Sequence, residues 1–163
     1  RMRAYVGLGA NLGPREATLL RAVDLLAAET GIEVVELSSF RETEPVGVVD
    51  QPTFINAALA VETTLSPRGL LDALLRVERE LGRVRSGGER WGPRTIDLDL
   101  LLYGDEVIAA SDALHVPHLL MHERGFVLRP LAALAPDFAA LAAQVYDVDT
   151  ETDAVTPFMY VMF

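Results

Sequence analysis

Six patterned segments follow one another in this chain as strand, helix, strand, strand, helix, strand, and that order leaves few folds open. Residues 4–9 are short, apolar and partly β-branched or aromatic, as a strand requires. Gly7, Gly9 and Gly13 punctuate a turn, and Pro14 stands where a helix would begin. Leu19, Leu20, Val23, Leu26 and Ala27 then recur at helical spacing, and Gly31 supplies a C-terminal cap. Residues 32–41 read as the second strand, with Ile32, Val34 and Leu37 inward, and 54–63 as the third. Between them, 42–53 carry prolines and a glycine and read as a loop. Ser66 and Pro67 form a helix cap followed by proline at the first helical position. Leu70, Leu74, Val77 and Leu81 make one apolar stripe, which Gly82 ends. Residues 95–103 are the fourth strand, and after a turn at Gly104-Asp105 the pair 107–108 is expected to fold back on it.

This is the split β-α-β order of ferredoxin-like sheets. Helices would cover one face of an antiparallel sheet and later elements the other. Residues 113–122 read as irregular, and 123–135 as helical with an interruption at Pro130. The expected class is α+β: a ferredoxin-like βαββαβ core with additional C-terminal helices, forming an α/β/α layered single domain over residues 1–163. The tail 137–163 is unassigned.

Composition removes several chemistries. The 163 residues include no cysteine, which excludes a disulfide framework, a thiol nucleophile and a cysteine-based zinc site. All 14 basic residues are arginine, so there is no phosphate-loop lysine, no kinase strand lysine and no lysine for a Schiff base. A net charge of −10 argues against general nucleic-acid binding. The longest stretch without a formal charge, 4–14, is too short to span a bilayer and lacks a signal-peptide pattern. The expectation is a cytoplasmic, monomeric protein without nucleic-acid or membrane partners.

Against that acidic background, residues 76–94 hold six arginines and three glutamates. Arg76 and Arg79 fit a solvated helix face. Arg83, Arg85, Arg90 and Arg94 lie among glycines beyond the helix, where a small anion could bind. Directly downstream, Asp97 and Asp99 alternate with Ile96, Leu98, Leu100 and Leu102, so the two carboxylates share one face of a strand. The standard rise puts them about 6–7 Å apart. Carboxylates held that close repel one another unless a divalent cation lies between them, and magnesium is the hard cation that accompanies phosphates. A solvated polar edge is the bland alternative. The neighbouring arginines favour the metal, because magnesium and arginine together stabilise charge in phosphoryl transfer.

Other residues fit a flat, anionic or heterocyclic ligand. Phe54 and Asn56 share a strand face, an aromatic surface beside an amide edge. Trp91, the only tryptophan, sits between Arg90 and Arg94, and Arg124-Gly125-Phe126 places a cation and an aromatic around a glycine. His115, His118 and His122 have no regular spacing and no obvious fourth ligand, so one histidine on a phosphate is favoured over a zinc site. The spacing of Gly7, Gly9 and Gly13 departs from the dinucleotide fingerprint.

Taken together, the run from Arg90 to Leu101 closely resembles the signature of the 6-hydroxymethyl-7,8-dihydropterin pyrophosphokinases of folate synthesis. The likeness extends to Gly7–Gly13, Ser38–Phe40, Thr43–Gly47, Asp50–Ala58, Glu78, Gly82–Arg85, Val116–His118 and Arg124–Phe126, covering roughly 4–136 in order. The resemblance implies transfer of the terminal diphosphate of ATP to the hydroxymethyl group of the dihydropterin, releasing AMP. It implies two magnesium ions on Asp97 and Asp99, and Arg83 and Arg94 on the transferring diphosphate. Glu78, Arg85, His118 and Arg124 would be further ATP contacts, and Ile96, Leu100 and Leu119 would line the adenine pocket. Phe54 and Phe126 would sandwich the pterin, with Asn56, Thr43, the Val46 backbone, Trp91 and Asp97 around its edge. Phe54 stands where the family often has tyrosine, Glu44 where proline is common, and Leu75 where a polar residue is expected. The loops 42–53 and 83–93 are expected to close over the substrates. The alternative is a non-enzymatic ferredoxin-like module that binds a nucleotide or pterin.

Overall fold

The sheet is built from strands that each present one apolar face. In the computed structural model, which describes residues 1–43, 53–82, 96–111, 114–117, 134–135, 146–148 and 155–157, the order is β1 (Met2–Ala10), α1 (Arg15–Ala28), β2 (Ile32–Leu37), β3 (Arg41–Thr43), β4 (Phe54–Thr63), α2 (Pro67–Glu80), β5 (Asp97–Tyr103), β6 (Ile108–Ala109), β7 (His115–Val116), β8 (Tyr146–Val148) and β9 (Val155–Pro157). The main sheet runs β2-β4-β1-β5, and β3 continues the β2 edge by pairing with β4. All pairings are antiparallel. Setting β3 aside, the strand order is second, third, first, fourth, as the ferredoxin-like expectation requires.

Alternation sorts the residues of each strand. Ala4, Val6, Leu8 and Ala10 of β1, Ile55, Leu59 and Val61 of β4, and Leu98, Leu100 and Tyr103 of β5 enter one core. Leu19, Ala22 and Leu26 of α1 and Leu70, Leu74 and Val77 of α2 close over them. The opposite face carries a smaller apolar cluster in which Ala58, Ala60 and Leu134 pack with Tyr5. Leu134 thus brings a later segment onto the second face, as a layered arrangement needs. The C-terminal helices expected there fall almost wholly outside the described residues. In the tail, β8 and β9 pair with each other.

The local signals act as chemistry predicts at several points. The Ser66 hydroxyl accepts from the Gly69 N–H at 3.1 Å, and Pro67 opens α2. Pro14 is itself the cap residue of α1, and its carbonyl accepts from the Thr18 N–H and hydroxyl. Gly31 has a φ of 88°, which lets the chain reverse between α1 and β2.

Other expectations are corrected. Gly7 and Gly9 lie inside β1, and only Gly13 belongs to the turn. The strand expected over 32–41 is two strands. It breaks at Ser38, whose N–H donates to Ala58 O at 2.9 Å while its hydroxyl accepts from the Ala58 N–H at 2.8 Å. A side chain thereby replaces a rung of the ladder, and the backbone turns away before β3 resumes. Glu42 and Thr43, read as loop, belong to β3. Ile108 pairs with Val116 of β7 and not with β5, which also gives His115 and Val116 of the supposedly irregular stretch a regular place.

The inward set of β5 changes as well. Pairing with β1 jumps from Val6↔Leu100 to Tyr5↔Leu102, leaving Leu101 as an extra residue. Such a bulge inverts the alternation beyond it. Leu102 therefore leaves the face shared by Leu98 and Leu100, and buried Tyr103 takes its place. The Tyr103 hydroxyl donates to Leu65 O, and burial raises its pKa above the ordinary value.

Candidate active site

Two carboxylates and a carboxamide share the sheet face opposite α1 and α2. Register places them in rows. Asp97 of β5 stands opposite Gly9 of β1, which stands opposite Asn56 of β4, which stands opposite Arg41 of β3. The next row reads Asp99, Gly7, Ala58. Residues directly paired across a sheet project to the same face. Two strand spacings separate Asp97 from Asn56, about 10 Å, and only a glycine lies between them. The central strand thus has no side chains where its neighbours carry polar groups. The result is a trough with carboxylates on one bank and an amide on the other.

The first bank is negative. Asp97 and Asp99 are both half-buried and occupy successive same-face positions ahead of the bulge. The second bank is apolar and polar by turns. Phe54 lies two residues from Asn56 on the same face of β4, opposite Thr43 of β3. Asn56 is buried and Phe54 half-buried, so the pair offers a flat surface next to an amide edge.

Three of the expected ATP contacts take a different position. Ile96 and Leu100 are buried in the helix-side core. Glu78 of α2 is only 1% exposed, and its Oε2 accepts from the Leu98 N–H at 2.8 Å. Among the described residues β5 pairs only with β1, so the other edge of β5 is where Glu78 meets it. The carboxylate satisfies a donor that a bare strand edge would leave open. This bond fixes the strand between the two aspartates, because Leu98 separates them.

At the other end of the trough, Arg15 ties three elements together. Its Nη1 donates to Thr53 O at 2.7 Å and to Thr53 Oγ1 at 2.8 Å, and the Thr53 hydroxyl donates to Glu42 Oε1 at 2.7 Å. The first residue of α1 therefore clamps the residue before β4 to β3, next to Phe54. His115 is engaged locally, its Nδ1 donating to Pro117 O at 2.8 Å.

Arg83, Arg85, Trp91, Arg94, Val46, His118, Leu119, Arg124 and Phe126 lie outside the described residues. The same is true of His122, of most of 42–53 and of all of 83–93. The geometry thus brings Asp97, Asp99, Phe54 and Asn56 together on one face, with the Thr43 backbone beside them, and puts Glu78, Ile96 and Leu100 behind β5. Four further participants were not singled out as site residues from sequence: Gly7, Gly9, Arg15 and Arg41. The glycines were visible as Gly-x-Gly, but only the pairing register shows that they face Asp99 and Asp97. Arg15 and Arg41 carry no local signal.

Among the described residues no three acidic or histidine side chains gather into a metal cage. The donor set fits magnesium nonetheless. Two half-buried carboxylates on one strand supply hard oxygens, and water and phosphate oxygens would complete the shell.

Comparison with known proteins identifies the family. Residues 5–136 match the family model described as 7,8-dihydro-6-hydroxymethylpterin-pyrophosphokinase (HPPK). The chain is 50% identical over 135 residues to the 2-amino-4-hydroxy-6-hydroxymethyldihydropteridine pyrophosphokinase of Methylorubrum extorquens, covering 83% of this chain and 84% of that one. It is 48% identical over 131 residues to the protein of the same name from Bacillus subtilis, covering 80% and 77%. A crystal structure of Plasmodium falciparum HPPK-DHPS superposes with a TM-score of 0.65 at 12% identity, over 96% of this chain and 48% of that one. That likeness speaks to the fold, and the chain spans about half the length of that protein. With the fold, the paired aspartates and the sequence match in agreement, the chain belongs to the 7,8-dihydro-6-hydroxymethylpterin-pyrophosphokinase family.

Proposed function

We infer that this chain, as one catalytic domain, transfers the terminal diphosphate of ATP to the hydroxymethyl group of 6-hydroxymethyl-7,8-dihydropterin. The products are AMP and the dihydropterin diphosphate, an intermediate step in folate synthesis. The observation that carries this reading is the row Asp97, Gly9, Asn56, with carboxylates and amide on opposite banks of one trough. Two substrates of different chemistry, one rich in phosphate and one a flat heterocycle, would meet there over the glycines.

The bond that forms joins the hydroxymethyl oxygen to the β-phosphorus. The bond that breaks links that phosphorus to the oxygen bridging it to the α-phosphorus, and this oxygen leaves with AMP. The hydroxyl proton departs with solvent or phosphate, and no strong protein base is needed. Catalysis is then a matter of positioning and charge. Asp97 and Asp99 would hold magnesium, two ions in this reading, which supplies charge neutralisation to the ATP phosphates when bound.

The remaining work falls to the chain. Arg83 and Arg94 hold the transferring diphosphate, and Arg85, His118 and Arg124 hold the rest of the nucleotide. Phe54 and Phe126 stack on the pterin, while Asn56 and Thr43 bond its edge beside Val46 and Trp91. Ile96, Leu100, Leu119 and Glu78 lie toward the adenosine. Because Glu78, Ile96 and Leu100 sit behind β5 and the aspartates in front, the nucleotide must cross the outer edge of that strand. Closure of 42–53 and 83–93 over both substrates would exclude water, which otherwise hydrolyses the diphosphate. The protein acts as a cytoplasmic monomer in this account.

The test is a product assay with ATP, magnesium and the pterin, resolving AMP, ADP and free diphosphate. AMP formed only when all three are present is the expected result. ADP would make the chain an ordinary kinase, and free diphosphate a nucleotidyltransferase. Binding of either ligand without turnover would favour the non-enzymatic module.

A further inference from the structure

A glycine inside a strand needs a reason, because it neither packs nor favours the extended chain. Backbone conformation does not supply one at Gly9, which is not among the glycines with positive φ. Space does. An ideal Cβ built on Gly9 would lie 2.9 Å from Asn56 Oδ1, closer than a carbon and an oxygen pack without moving. At Gly7 the nearest atoms would be the Leu101 methyls at 3.4 Å, at the edge of ordinary contact. The two glycines of the trough floor therefore differ, and only Gly9 is crowded by a polar group.

We propose that Gly9 is a positioning residue for pterin selection: its missing side chain keeps the Asn56 carboxamide at the angle needed to read the edge of the heterocycle. This rests on the reading above, in which Asn56 meets the pterin. Asn56 is buried and has a short side chain, so it cannot yield along a flexible stem as lysine or arginine would. A carboxamide carries its acceptor and its donors at opposite ends. Any rotation that relieves the clash misaligns both with a fixed ligand. The atom struck is the end of a side chain and not backbone, so the strand itself should persist and the loss should appear in substrate binding.

The test is Gly9→Ala in the full chain, alone and in an Asn56→Ala background, with AMP formation measured against each substrate in turn. Gly9→Ala should raise KM for the pterin at least about tenfold, since a misaligned buried partner forfeits its ligand bonds. KM for ATP and the thermal midpoint should stay close to wild type. In the Asn56→Ala background the same substitution should add nothing, because the group it displaces is gone. A wild-type pterin KM in Gly9→Ala overturns the proposal, and so does an equal further loss in the Asn56→Ala background. If Gly9→Ala folds poorly, the double variant must recover the midpoint, and failure to do so overturns it too. Absence of AMP from the wild-type protein overturns the functional reading first, and the proposal falls with it.

Discussion

The two faces of the sheet use the same strands for opposite ends. On the helix side, β1 contributes Ala4, Val6, Leu8 and Ala10, all buried in a core that α1 and α2 close. On the other side, the same strand contributes Tyr5, Gly7 and Gly9, and its partners contribute Asn56, Asp97 and Asp99. One face gains from apolar burial. The other sets two aspartates at successive same-face positions of β5 and two glycines opposite them on β1, choices that a purely structural sheet would avoid. Stability and chemistry are thus separated residue by residue along a single strand.

That separation can be broken from the packing side first. Leu74→Ala removes a fully buried side chain from α2 and should lower stability by about 2–5 kcal/mol in urea denaturation. AMP formation well below the melting temperature should stay near wild type. A large loss of turnover in still-folded protein would show that the faces are coupled.

Glu78 of α2 links the two faces through its bond to β5. Glu78→Ala leaves the Leu98 N–H without its acceptor and should cost about 1–3 kcal/mol. It should also reduce turnover, because Leu98 separates the two aspartates. Glu78→Gln keeps an acceptor at the same place and should restore most of both. Equal damage from the two substitutions would mean that the charge, and not the strand contact, is what matters.

Alkaline pH makes a smaller and one-sided perturbation. Burial raises the pKa of Tyr103 above the ordinary 10.0, so the folded protein keeps a proton that the unfolded chain releases near pH 10. The contribution of Tyr103 to stability is therefore complete below about pH 10 and declines as pH rises through the folded value. Tyr103→Phe should flatten that part of the stability profile. An unchanged alkaline limb would assign the decline to other groups.

Much of this architecture was legible from local pattern. The period of two placed Phe54 with Asn56 and Asp97 with Asp99, and the pairing confirms both shared faces. The Ser66-Pro67 cap and the apolar stripe of α2 needed only local chemistry. What escaped depends on contacts distant in sequence. The bulge at Leu101 arises from pairing with Tyr5 and Val6, and the break at Ser38 from bonds to Ala58. Gly7 and Gly9 read as turn residues because a glycine shows the same sequence signal in a turn and beneath a site. Only register distinguishes them.

The division between the faces is tested most directly by Asp97→Asn, with AMP formation and the thermal midpoint measured on the same preparation. The substitution preserves shape, removes one of two neighbouring charges and leaves the helix-side core untouched. Turnover should fall on the order of 10²–10³-fold, the scale of losing one preorganised electrostatic group. The midpoint should stay close to that of the wild type, since the helix-side core is untouched. Retained turnover, or a lowered midpoint with proportionate loss of activity, would contradict the claim that this face is kept for chemistry.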